Sequence, residues 1–170
     1  MSRFLGLFYR GLCALAAAAL VGALLSVLLS IADRQWNLNL RGLDAYAGYC
    51  IAAALFLALP ETLRQGDHIR VTLALQRAPA AVRGLLEWWS LGAGLALTTY
   101  LAWYATRLVW VSWDTHDVSQ GADATPLWIP QIAMALGCTG LALAFADALL
   151  ARWQGRNFFV EASAEAAHVE

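Results

Sequence analysis

The sequence predicts an all-α membrane protein with four transmembrane helices and an amphipathic helix in the membrane interface between the second and third. Apolar residues, counted with the 13 glycines and without the 5 tyrosines, make up about 66% of the 170-residue chain, and charged residues make up 14%, against roughly 45–50% and 25% in soluble domains. A chain this short cannot bury so much apolar surface within itself. A soluble enzyme and a disordered chain are therefore excluded. The net charge of −1 gives no indication of a nucleic-acid partner, and the lipid bilayer is the expected surrounding.

Four long apolar runs predict the membrane spans, at about 11–32, 44–63, 88–113 and 126–147. The first has no charge over 22 residues, about 33 Å of helix at about 1.5 Å per residue, enough for a hydrocarbon core of about 30 Å. Because apolar regions of signal peptides usually run about 7–15 residues, we expect this span to be retained. The connections are too short for a separate domain, so residues 1–170 form a single membrane domain with a flexible tail at 148–170.

The connection after the second span is predicted to carry the interfacial helix, over about 69–83. Pro60 should bend or end the second span, and Asp67 can cap a new helix. One apolar helical face suits the membrane interface, and it is formed by Val71, Leu75, Ala78 and Val82. Residues 69–73 also alternate with period two, which permits a strand by pattern. A lone strand has no pairing partner at a membrane surface, so the pattern favours the helix.

Arginine and tryptophan positions predict the orientation. Eight arginines fall on the side shared by both termini and the second loop, and two, Arg34 and Arg41, fall on the other. This imbalance places both termini in the cytoplasm. Seven of the eight tryptophans fall at the predicted interfaces, where the indole N–H stays hydrated. Only Trp103 lies deep in a span.

The spans show no catalytic or cofactor-binding chemistry. His68, His116 and His168 fall outside them, whereas a haem-binding bundle needs histidines on facing helices. His116 with Asp114 and Asp117 could suggest a metal site, but the spacing is more typical of a solvated acidic loop. The three cysteines lie in separate apolar runs, without the convergent sulfurs that metal or disulfide chemistry needs. We therefore expect no enzyme activity, no cofactor and no bound metal.

Arg107 lies deeper within a predicted span than the other charged residues. It is six residues from Trp113, about 9 Å along a helix, so its side chain can reach the outer headgroups. An ion pair with Asp44 on a neighbouring span and a contact with substrate are the alternatives.

Small residues recur at every fourth position along three spans. Small side chains at this spacing let helix backbones approach closely, so the bundle should pack on itself or on a partner, and Gly22 is a candidate contact. The stripes are Ala14, Ala18, Gly22, Ser26 and Ser30; Cys50, Ala54, Ala58 and Thr62; and Gly140, Ala144 and Ala148.

Two segments resemble the small membrane subunit of tripartite ATP-independent periplasmic (TRAP) transporters, the DctQ type. Gly66-Asp67-His68-Ile69-Arg70-Val71 matches the family's G-x-H-I-R-V after the second span, and Thr125-Pro126-Leu127-Trp128-Ile129-Pro130 opens the fourth. The four-span layout also matches, over roughly residues 8–155. Thr72 and Gln131 depart from the acidic and aromatic residues common at these positions, which leaves the substrate open.

The resemblance implies a multi-pass subunit of the bacterial inner membrane. A large membrane subunit would carry the cation-driven transport path, and a periplasmic solute-binding protein would capture an organic acid. The small subunit would scaffold the large one and help to form the docking surface. The resemblance implicates residues of the cytoplasmic turn and of the start of span four in this role. They are Gly66, His68, Arg70, Pro126, Trp128 and Pro130. A small oligomeric channel or exporter is the alternative function, and a membrane enzyme using His116 is a further one.

Overall fold

The described residues form four α-helices, which confirms the all-α prediction. The computed structural model describes residues 3–38, 40–65 and 80–155. In chain order the helices are α1 (Arg3–Trp36), α2 (Leu43–Gln65), α3 (Ala80–Asp114) and α4 (Trp128–Trp153). Each predicted span coincides with one helix. Residues 148–153, expected in the flexible tail, instead continue α4.

Three of the helices, α1, α2 and α4, are long and apolar enough to cross a membrane. α3 is as long, with 35 residues, but it is rich in tryptophan, tyrosine and threonine, which lower its mean hydropathy. Its length and composition therefore do not by themselves identify it as a fourth span. Of the predicted interfacial helix, residues 80–83 belong to α3, and residues 69–79 lie outside the described part of the chain.

α2 and α4 form the centre of the bundle, because α2 packs against α1 and α4, and α4 packs against α2 and α3. We call the end that carries residues 37–42 and 115–127 the loop end, and the opposite end the base. At the base, Tyr9 of α1 and Leu63 of α2 pack around Ala144 and Ala148 of α4. Nearer the loop end the core consists mainly of smaller side chains, with Ala105, Ala135 and Cys138 buried against Phe56.

The sequence predicted that Pro60 would bend or end the second span. The helix does not end there, so the prediction of an end is wrong. α2 continues through Pro60 to Gln65. A proline removes one helical hydrogen bond, but membrane bundles tolerate this where neighbouring helices pack on the site. Here Pro60 is fully buried and lies directly against Gly140 of α4.

Large apolar side chains cover the outer faces of α1 and α3. Patches of this size cause aggregation in water, whereas in a bilayer they meet lipid or another membrane helix. On α1 they include Leu20, Leu24, Leu25 and Leu28, and on α3 Leu97, Tyr100, Trp103, Tyr104 and Trp110.

Candidate functional site

The loop between α3 and α4 folds into an ordered hairpin at the loop end. Val118 pairs with Pro126 in a short antiparallel bridge, and the backbone N–H of Ser119 donates to the carbonyl of Thr125 at 2.8 Å. We call residues 117–127 the cap. The sequence favoured a solvated acidic loop around His116, and Asp114, His116 and Asp117 are indeed exposed; the folded hairpin that follows them was not predicted.

Asp123 fastens the cap to α2. Its carboxylate accepts hydrogen bonds from Tyr49 Oη at 3.1 Å and from Ser119 Oγ at 2.9 Å, and it accepts a longer one from the Thr125 backbone N–H at 3.4 Å. Thr125 Oγ1 also lies 3.1 Å from Tyr46 Oη. These hydrogen bonds hold the pKa of Asp123 below its usual value, and the one from Thr125 has the largest effect. Partial burial of the carboxylate acts in the opposite direction but is outweighed. The hydrogen bonds lower the pKa because they stabilise the charged carboxylate.

The α1–α2 loop meets the cap at Gly42. This residue has φ of +83°, a conformation that favours glycine. A Cβ atom at Gly42 would lie 2.5 Å from the Cβ of Asp123, so a larger residue could not fit without moving the cap. The two loops therefore form one packed surface at the loop end.

The three residues predicted at the start of span four lie together beside this surface. Pro126 belongs to the cap bridge, and the Trp128 ring packs edge-to-face on Trp113 of α3, with centroids 4.8 Å apart. Pro130 lies in the first turn of α4, where its missing N–H would have no helical partner in any case. Their position is structural, and a contact with another subunit remains a prediction for them.

The small-residue stripe of α4 forms a buried packing face, as its spacing predicts. A Cβ atom at Gly140 would lie 2.8 Å from both Leu12 Cδ1 and Pro60 Cγ. One turn earlier, Gly137 contacts the backbone of α2: a Cβ there would lie 2.5 Å from the carbonyl carbon of Phe56. α2 and α4 therefore pack with their backbones in close approach.

Only part of the α1 stripe faces another helix. Gly22 lies against α2, where an added Cβ would be 3.3 Å from Cys50 Sγ. Ala14 and Ala18, in the same stripe, are exposed. Positions four apart advance by about 40° around an α-helix at 3.6 residues per turn, so the stripe rotates away from α2 towards the base.

Two ion pairs lie at the base. Arg64 donates to Glu61 at 3.1 Å on α2, and Arg152 of α4 forms a close ion pair with Glu87 of α3. The Arg64 guanidinium also lies over the ring of Tyr9, 5.6 Å from its centroid.

Arg107 is exposed on α3 and makes no ion pair within residues 3–38, 40–65 and 80–155. Asp44, the partner considered for it, instead accepts a hydrogen bond from Ser30 at 2.8 Å and lies 3.8 Å from Arg34. His116 is exposed as well, and the described residues contain no group of His, Cys, Asp and Glu that could hold a metal ion.

Gly66, His68 and Arg70 lie outside the described residues, so their predicted role in the turn and lateral helix after α2 stays a prediction. The sequence reasoning, in turn, missed Asp123 and the two tyrosines that hold it. One available signal was the spacing of Tyr46 and Tyr49, which places both on one face of the first turns of α2.

Helices of spanning length, closely packed small-residue interfaces and an ordered polar cap define a multi-pass membrane protein. The family model described as Tripartite ATP-independent periplasmic transporters, DctQ component, matches residues 23–155. The chain belongs to this family: it is a transmembrane component of a tripartite TRAP transporter and not an enzyme. No curated protein and no solved structure matches the chain.

Proposed function

We propose that this chain is the scaffold subunit of its transporter. In this proposal it packs beside a large membrane subunit that carries the transport path. Its loop end contributes to the docking surface for a periplasmic solute-binding protein. The complex takes up an organic acid using an ion gradient. The tripartite composition of the family supplies the two partners, and the division of labour rests on the packing of this chain.

The close contact between α2 and α4 carries the proposal. At Gly137, α4 lies against the backbone of Phe56 in α2, and at Gly140 it lies against the Pro60 ring and Leu12, which leaves no room for a solute to pass. Around this contact the buried side chains are apolar, and they include Leu57, Ala135 and Cys138. A transport path needs polar or ionisable groups within the membrane. A tightly closed apolar interface instead suits a static support.

The cap supports the docking role. Hydrogen bonds from Tyr49 and Ser119 to Asp123 fix its shape, and Gly42 joins it to the α1–α2 loop. A preformed surface loses little conformational freedom when a partner binds. The loop end is therefore suited to receive a soluble protein repeatedly without refolding.

The packing of α3 supports a fourth crossing. α3 runs antiparallel to α4 and contacts it from one end to the other: Glu87 with Arg152 at the base, Gly94 with Phe145, and Trp113 with Trp128 at the loop end, of which the last contact is edge-to-face. Because α4 has the length and composition of a span, a helix that follows it over this distance crosses as well. With four crossings, the arginine imbalance favours a cytoplasmic position for the base and both termini and a periplasmic position for the cap.

Copurification tests the scaffold assignment. Affinity-tagged chain, extracted in mild detergent from cells that also produce the large membrane subunit, should recover that subunit in a stable complex. Recovery of the chain alone, from cells in which uptake continues normally, would contradict the proposal.

Cysteine labelling in intact cells tests the topology. Single cysteines are placed at His68 and His116 in a variant whose native cysteines are replaced. An impermeant reagent should label position 116 and leave position 68 unlabelled until the cells are opened. Labelling of position 68 with protection of position 116 would show that the chain has the opposite orientation in the membrane.

A further inference from the structure

Four buried polar atoms at the base make no hydrogen bond in the described part of the chain. One is Arg152 Nε, whose guanidinium pairs with Glu87 through another nitrogen. The other three are Tyr9 Oη, Arg64 Nε and Asp147 Oδ2, and each comes from a different helix. Tyr9 is the most enclosed, with 0% of the residue exposed.

These three side chains converge on one place. The Arg64 guanidinium lies 5.6 Å from the centroid of the Tyr9 ring. Tyr9 packs in one cluster with Ala144 and Ala148, which lie one turn apart on α4 and flank Asp147 in sequence. The three side chains therefore lie near one another where α1, α2 and α4 meet at the base.

Buried polar groups in folded proteins nearly always have a hydrogen-bond partner, because an unpaired group keeps the full cost of its removal from water. Tyr9 Oη and Arg64 Nε each offer a proton, whereas Asp147 Oδ2 accepts one. A partner common to all three must accept two hydrogen bonds and donate one.

The geometry points to a bound water molecule that accepts hydrogen bonds from Tyr9 Oη and Arg64 Nε and donates one to Asp147 Oδ2. A buried water typically makes about three hydrogen bonds to groups of this kind. Charge favours a neutral ligand: Arg64 repels a cation, and Asp147 together with Glu61 repels an anion. The water joins α1, α2 and α4 through polar contacts, which hold membrane helices together where the hydrophobic effect cannot.

Radical labelling tests this site directly. X-ray pulses convert a bound water into a hydroxyl radical that oxidises the side chains beside it, and mass spectrometry locates the product. In the purified complex, Tyr9 should be oxidised several-fold faster than Tyr100, which lies on the apolar outer face of α3. Tyr49 of α2, which donates to Asp123 of the cap, serves as the dose control. Oxidation of Tyr9 no faster than that of Tyr100 would overturn the proposal.

The change in thermal stability caused by Tyr9→Phe tests the water site independently, because the direction of the change differs between a paired and an unpaired hydroxyl. If the hydroxyl shares a water with Arg64 and Asp147, its removal should lower the thermal unfolding midpoint by about 2–4 °C, since about 1 kcal/mol is lost in a chain of this size. If the hydroxyl is truly unpaired, its removal should raise the midpoint. Tyr104→Phe, on the outer face of α3, is the matched control. An unchanged or higher midpoint for Tyr9→Phe would refute the water site.

Discussion

Gly137→Ala should destabilise the bundle, although alanine is the better helix former. The added Cβ would lie 2.5 Å from the carbonyl carbon of Phe56 and 2.9 Å from its Cβ. Carbon atoms in contact are normally about 3.5–4.0 Å apart. α2 and α4 must therefore separate by about 1 Å, and a gap of that size forfeits about a quarter to a half of each contact energy.

The expected magnitude follows from two opposing effects. Overpacking a close interface costs about 1–3 kcal/mol, and replacing glycine by alanine within a helix returns up to about 1 kcal/mol. The net loss for Gly137→Ala should be about 1–2 kcal/mol in the free energy of unfolding, or roughly a 5–30-fold fall in the ratio of folded to unfolded protein.

Gly48→Ala on α2 is the matched control, because a Cβ at Gly48 meets nothing within 4 Å. This variant should be neutral or more stable than the wild type. Unfolding of both variants by SDS, added to protein in mild detergent and followed by tryptophan fluorescence, provides the comparison. Equal stability of Gly137→Ala and Gly48→Ala would refute the reasoning that α2 and α4 touch through their backbones.

Three further changes test other parts of the structure. Gly22→Leu should reduce the amount of assembled complex recovered by copurification, because the new side chain meets Cys50 at a position where even a Cβ lies 3.3 Å from Sγ; Gly11→Leu, where nothing lies within 4 Å, should recover normally. Asp123→Asn should remove part of the acid sensitivity of the fold. The lowered pKa of Asp123 means that its carboxylate stabilises the cap above the usual carboxyl pKa and loses that effect as the pH falls through the folded value, so unfolding midpoints measured from pH 6 to pH 3 should fall less steeply in the variant. Arg107→Lys should support near-normal uptake by the complex, because an exposed arginine that makes no ion pair with the described residues needs only a long cationic side chain; uptake lost in the Lys variant would indicate that a bidentate partner exists, because lysine lacks the planar fork of arginine.

The helices and the α4 packing face could be predicted from sequence because both depend on local periodicity. Runs of about 20 apolar residues mark spanning helices whatever they pack against. Gly140, Ala144 and Ala148 repeat at a spacing that stays close to one face over two turns, and the structure buries all three. Over the longer α1 stripe the same reasoning fails, because the drift of about 40° per step turns Ala14 and Ala18 away from α2.

The cap could not be predicted because it depends on contacts between distant segments. Tyr49 and Asp123 are separated by 74 residues, and Tyr46 and Thr125 by 79. No local pattern in residues 117–127 reveals that α2 will supply two hydroxyl groups. Pro60 shows the same limit in another form: taken alone it can end a helix, and only its burial against Gly140 explains why α2 continues.

Reconstituted uptake tests the scaffold role most directly. The large membrane subunit is purified and inserted into proteoliposomes with and without this chain, at equal amounts of the large subunit. The solute-binding protein and an ion gradient are then supplied from the side that carries the cap. The scaffold account predicts that uptake is abolished or severely reduced without this chain and is restored when the wild-type chain is included. Uptake at the full rate by the large subunit and the binding protein alone would contradict it.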